Sequence, residues 1–126
     1  MKITGIGLYL PPKIESAEEL SKKIKKSSEW IVSKTGVKER RISEIDVDRM
    51  GAIAAKDALD GRKPDLILNA SGVARQVIPD TSVYFQRELD LEGVPAFSIH
   101  ATCLSFLVAL KTANEFLENN TFNKIL

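Results

Sequence analysis

The sequence predicts an α/β fold built on a parallel sheet with helices on both faces. Short apolar runs of strand length alternate with helical patterns, and the helical segments carry capping residues at their ends. The 126 residues are 44% hydrophobic, one domain's worth of chain with enough apolar side chains for a core.

Residues 3–10 are short, apolar and closed by Pro11-Pro12, which predicts a buried first strand. Ser16-Ala17-Glu18-Glu19-Leu20 has the form of a helix entry, with Ser16 as N-cap and Glu19 completing a capping box. A second short helix is expected over residues 28–34, with Gly36 supplying a left-handed end. A third, over residues 48–59, places Met50, Ile53, Ala54 and Ala58 on one face and stops near Gly61. A parallel-type strand within residues 65–70 follows, then a loop, a helix over 81–89, a buried strand over 95–99 and a long helix over 104–119. In that last helix Cys103, Leu107, Leu110, Asn114 and Leu117 form one stripe, and Phe106, Val108, Ala109 and Ala113 widen it. Burial over most of the helix's girth is the expectation.

A formal net charge of +1 and a single cysteine describe an ordinary domain without an internal disulfide, suited to a reducing cytosol. No long apolar run and no signal-peptide pattern occur, so a cytoplasmic protein without membrane insertion is expected. Eight of the 18 Lys and Arg residues lie between Lys22 and Arg41, offset locally by Glu29 and Glu39. Such an excess points to an anionic partner, although the stretch from Lys22 to Lys26 also suits a solvated helix face. Nucleic acid is disfavoured by the near-neutral total and the lack of interleaved aromatics. One Cys and one His make no metal site. Gly5 and Gly7 do not open a helix and are not a dinucleotide fingerprint.

Cys103 falls where the strand over 95–99 gives way to the long helix. Backbone N–H groups and the positive helix end at such a turn favour a thiolate nucleophile, although a lone cysteine is commonly only a small buried hydrophobe. Sites in parallel sheets lie beyond the carboxyl ends of the strands, where Cys103 is placed. His100, three residues earlier, is at a strand end from which its ring need not reach the sulfur, and is read as a structural or pocket residue.

The segment His100-Ala101-Thr102-Cys103-Leu104-Ser105-Phe106 resembles the nucleophile segment of the thiolase superfamily. Ile3-Thr4-Gly5-Ile6-Gly7-Leu8-Tyr9-Leu10-Pro11 and Ser28-Glu29-Trp30-Ile31-Val32-Ser33-Lys34-Thr35-Gly36-Val37-Lys38-Glu39-Arg40-Arg41 resemble the opening and the most diagnostic stretch of 3-oxoacyl-(acyl carrier protein) synthase III. Met50-Gly51, the strand within 65–70 and Ile78-Pro79-Asp80-Thr81-Ser82 follow in that family's order, so the likeness spans residues 1–126.

The resemblance implies a thiolase-like layered fold, of which residues 1–126 are most of the N-terminal half-domain, truncated and with its sheet incomplete. It implies an acyltransferase of fatty-acid initiation. Cys103 takes the acyl group from an acyl-coenzyme A primer, and the acyl-cysteine condenses with decarboxylated malonyl-acyl carrier protein. Trp30, Lys34 and Lys38 are the implied coenzyme A contacts, and Ile78 and Phe106 the implied substrate-pocket residues. Ile78 is expected to reach a neighbouring subunit in a homodimer. No cofactor is expected beyond the thioester substrates. Trp30 also has a plain reading as core filler, and Lys34 replaces the family's arginine without its planar fork. Ser105 stands where a glycine is common, and its hydroxyl either crowds the acyl channel or bonds a carbonyl. A catalytic histidine and asparagine are expected beyond residue 126, so the segment alone is expected to be inactive and poorly stable. The alternatives are a hydroxymethylglutaryl-coenzyme A synthase or secondary-metabolite ketosynthase, and a non-catalytic coenzyme A-binding or dimerisation fragment.

Overall fold

A computed structural model describes residues Met1–Leu126 and divides them into two units, Leu10–Glu44 and Met1–Tyr9 with Ile45–Leu126. In the smaller unit strand β1 (Lys13–Ser16) pairs antiparallel with β2 (Glu39–Ile42), Lys13 opposite Ile42 and Ser16 opposite Glu39. Between them run α1 (Ala17–Ile24) and α2 (Ser28–Thr35). The capping box forms as its sequence predicts: Ser16 Oγ accepts from Glu19 N at 3.1 Å, and Glu19 Oε2 accepts from Ser16 N at 2.8 Å. Ser27 caps α2, and Gly36 ends it at φ 72°, donating its N–H to Val32 O. Ala17 and Ile31 are the buried apolar contacts.

Neither β1 nor β2 shows an apolar strand pattern, because both carry charge that is paired across the unit. Glu15 is 5% exposed and lies between two cations: Lys23 of α1 bonds one oxygen, and Arg40 Nε of β2 meets the other at 2.7 Å. Two of the eight basic residues in the block from Lys22 to Arg41 are therefore offset by a carboxylate outside it. Hydrogen bonds from Lys23 and Arg40, opposed by burial, hold the Glu15 carboxyl below its ordinary range.

In the larger unit, α3 (Val47–Leu59), β3 (Ile67–Asn69), α4 (Thr81–Glu88) and β4 (Ala96–Ser98) lead through a 3₁₀ turn (Thr102–Leu104) into α5 (Ser105–Glu118). β3 pairs parallel with β4, Ile67 opposite Ala96, and on its other side Leu66 pairs parallel with Ile125. Asp65 N and Leu68 N donate to Lys124 O and Leu126 O, while Ile67 N donates to Pro95 O. Ile67 packs with Ala52, Phe85, Leu89, Leu91 and Val94 of the α3 and α4 side. α5 lies on the opposite face, its buried stripe formed by the small residues Ser105, Ala109 and Ala113.

Four sequence expectations change. Residues 3–10 form no strand, and Ile3, Ile6, Leu8 and Leu10 are exposed, Ile6 at 83%. This segment instead lies with its backbone against α3. A Cβ on Gly5 would stand 2.0 Å from Ala58 O, and one on Gly7 1.8 Å from Ala54 O. Arg62 Nη1 holds it further by donating to Thr4 O at 2.8 Å.

The core stripe of α3 is consequently Asp48, Ala52, Ala55 and Leu59, and Ile53 is exposed. α5 is not buried around its girth either. Small residues allow it close to β3, while the bulkier Phe106 and Leu107 are 65% and 58% exposed. β4, with a neighbour on one side, leaves Phe97 exposed rather than buried.

Gly7→Ala should destabilise the chain by about 1–3 kcal/mol, the usual range for forcing a methyl into a filled site. Urea unfolding followed by circular dichroism measures it, and an unchanged midpoint would show that the 1–9 segment is not held on α3. Glu15 gives a second test. Its lowered folded value means that its stabilisation is complete above its ordinary 4.5 and fades as pH falls through the lowered value. Glu15→Gln should lower stability at pH 7 and flatten the loss as pH falls below 4.5, as read from melts at a series of pH values.

Candidate active site

Beyond Ser98 the chain leaves β4 and bends through Ile99, His100 and Ala101 into the 3₁₀ turn that carries Cys103, which is exposed. Thr102 is at φ 49°, a left-handed conformation unusual for a β-branched residue. Ser105 pins this turn: its Oγ accepts from Ala101 N at 2.9 Å and donates to Thr102 O at 2.7 Å, with the residue 2% exposed. Of the two roles open to the hydroxyl at position 105, bonding a carbonyl is the one found. Cys103 thus sits one turn before α5 proper rather than on its first helical residue. His100 is exposed at the same strand end.

The carboxyl ends of both strands are locked beside this turn. Asn69 Nδ2 donates to Ser98 Oγ at 2.8 Å, and Ser98 Oγ donates to Asp80 Oδ1 at 2.9 Å. Asp80 caps α4 by accepting from Ser82 N at 3.0 Å and also from Ser82 Oγ. Burial acts to raise Asp80, but the bonds from Ser82 and Ser98 outweigh it and hold the carboxyl below its ordinary range. Asp80-Thr81-Ser82 is legible in sequence as an N-cap. Asn69 and Ser98 are 29 residues apart, and no sequence signal joins them.

Ile78 belongs to the same unit, on the loop between β3 and α4, and is 85% exposed, preceding a cis bond to Pro79. Phe106 borders a cavity of about 340 Å³ lined by residues 1–5, Leu68, Leu110, Ala113 and residues 123–126. Neither Cys103 nor Ile78 lines it, so this apolar groove is a flank of the sheet rather than the surroundings of the thiol.

Trp30, Lys34 and Lys38 lie in the smaller unit. Trp30 is 44% exposed, which excludes the core-filler reading, and Lys26 Nζ stands 5.3 Å from its ring centroid. Lys34 is exposed four residues on along α2, hence on the same helix face. Lys38 is exposed at the entrance to β2, where its carbonyl accepts from Ala17 N.

No family model matches the chain. A curated relative, beta-ketoacyl-(acyl-carrier-protein) synthase III of Shewanella oneidensis, is 36% identical over 99% of this chain, which spans 41% of that protein's length. The crystal structure of 3-oxoacyl-(acyl carrier protein) synthase III from Aquifex aeolicus superposes with a TM-score of 0.91 at 36% identity, over 98% of this chain and 42% of that one. The priming beta-ketosynthase of the R1128 polyketide biosynthetic pathway matches at 0.84 and 30% identity, over 93% of this chain and 37% of its own. The chain is therefore a relative of the 3-oxoacyl-(acyl carrier protein) synthases III and shares their thiolase-like fold.

Proposed function

We propose that this chain is the nucleophile-bearing part of an acyl-condensing enzyme that starts fatty-acid synthesis. The observation that carries the reading is Cys103, exposed on a pinned turn beyond the carboxyl end of a parallel strand, in a chain 36% identical to such synthases. The thiolate attacks the thioester carbonyl of an acyl-coenzyme A, and a backbone N–H at the turn, that of Cys103, stabilises the oxyanion. Collapse expels coenzyme A as its thiolate and leaves an acyl-cysteine. Malonyl-acyl carrier protein then loses carbon dioxide, and its carbanion attacks the acyl carbonyl, forming the new carbon–carbon bond and releasing the Cys103 thiolate. The histidine and asparagine that assist decarboxylation belong to the remainder of a longer protein.

The exposed Trp30 supports an adenine-stacking role, with Lys34 and Lys38 neutralising phosphate on the same nucleotide. Lys34 does so as a point charge without the bidentate grip of an arginine. Ile78 and Phe106, both exposed and apolar, shape the acyl pocket, Ile78 reaching across the interface of a homodimer in the cytoplasm. No helix is long and apolar enough to cross a membrane. The match to a polyketide priming ketosynthase supports a second reading, the same chemistry serving secondary metabolism.

Incubation with a radiolabelled short acyl-coenzyme A should label Cys103, as mapped by peptide analysis. Label persisting in Cys103→Ala would overturn the assignment. Coenzyme A should quench the emission of Trp30, the sole tryptophan. Trp30→Ala should weaken binding about tenfold or more, since base stacking is worth about 1–3 kcal/mol and 1.4 kcal/mol is one decade. An unchanged spectrum at saturating coenzyme A would count against the stack.

A further inference from the structure

The loop between β3 and α4 displays Val77 and Ile78 at 84% and 85% exposure, yet its base is tied down by buried polar groups. Asp48, in the first turn of α3, is 0% exposed, and its Oδ2 accepts from Arg75 Nη1 at 2.7 Å. Its Oδ1 has no hydrogen-bond partner. A carboxylate so fully removed from water depends on the one guanidinium that reaches it, and the helix N-terminus adds a smaller favourable field. Asp46, 60% exposed, stands further from Arg75 at 3.6 Å. The guanidinium also lies 4.6 Å from the Tyr84 ring centroid on α4.

The loop backbone is gripped at the same place. Arg75 N donates to Thr81 Oγ1 at 3.1 Å, Thr81 Oγ1 donates to Gln76 O at 3.2 Å, and Thr81 is 1% exposed. Gln76 Nε2 then donates to Ile78 O at 2.7 Å. A chain of contacts thus runs from a buried carboxylate on α3 to the exposed tip, whose own side chains face solvent.

We infer that Asp48 and Arg75 are a positioning pair that fixes the Val77–Ile78 tip, so that the point at which Ile78 projects is set by α3 and not by the tip's own packing. Its consequence for primer choice rests on the reading of Ile78 as a pocket residue. The test needs no acylation, so the two readings fail separately. Trypsin cuts after Arg75 only if the guanidinium leaves Asp48 to enter the protease. On the 126-residue chain, Asp48→Asn should speed cleavage after Arg75 at least tenfold, leaving cleavage after Arg87 in α4 and Lys111 in α5 unchanged. Arg75→Lys, which keeps the charge and the cleavage site but loses the fork, should show the same selective rise, and Asp46→Asn should not. A nitroxide on Ile78→Cys in a Cys103→Ser background should give sharper lines when Asp48→Asn is added. An unchanged rate after position 75, equal acceleration at all three sites in both variants, or unaltered nitroxide lines would overturn the inference.

Discussion

The parallel pairing of β3 on both its edges is the constraint on which the larger unit depends. Leu66 is fully buried and Ile67 nearly so, and the strand's amides alternate between Pro95 on one side and Lys124 and Leu126 on the other. Parallel strands need helical crossovers, so this pairing obliges α4 to lie on one face and α5 on the other. It also decides where the turn of Cys103 stands. Both β3 and β4 run toward the same edge, and the Asn69–Ser98–Asp80 chain binds their ends to the start of α4, giving the turn of Cys103 a rigid platform.

What was legible in the sequence was local. The capping box at Ser16, the left-handed Gly36 and the strand-to-helix turn at Cys103 each involve groups within a few residues of one another. Partners distant in sequence were not legible. Glu15 meets Lys23 and Arg40, and Asp48 meets Arg75, across 25 and 27 residues in the longer cases. Nothing in a composition or a period announces such pairs. β1 and β2 are illegible for the same reason, since their charged residues read as solvated until the fold brings them together.

An apolar pattern is no proof of burial. Residues 3–10 are apolar enough for an interior strand, but burial of a side chain requires a surface to cover it. Here the two glycines bring the backbone, not the side chains, onto α3. In α5 the widened apolar surface is real, yet only the small residues are buried. A helix approaches a strand most closely through Ser and Ala, and the bulky Phe106 and Leu107 are left exposed. Trp30 and Cys103 are both exposed, so neither is a core residue.

The hydroxyl at position 105 shows how a departure from a family pattern can be absorbed by the local backbone. Glycine at such a place supplies room and freedom. Serine supplies neither, and would crowd a channel if its side chain projected toward it. Here the Oγ is directed into the turn, where it spends its proton on Thr102 O and accepts the Ala101 N–H. Both bonds close on the two residues before Cys103, in a turn whose Thr102 holds an uncommon backbone conformation. With the residue buried, the substitution acts on the backbone that presents the thiol rather than on the space in front of it.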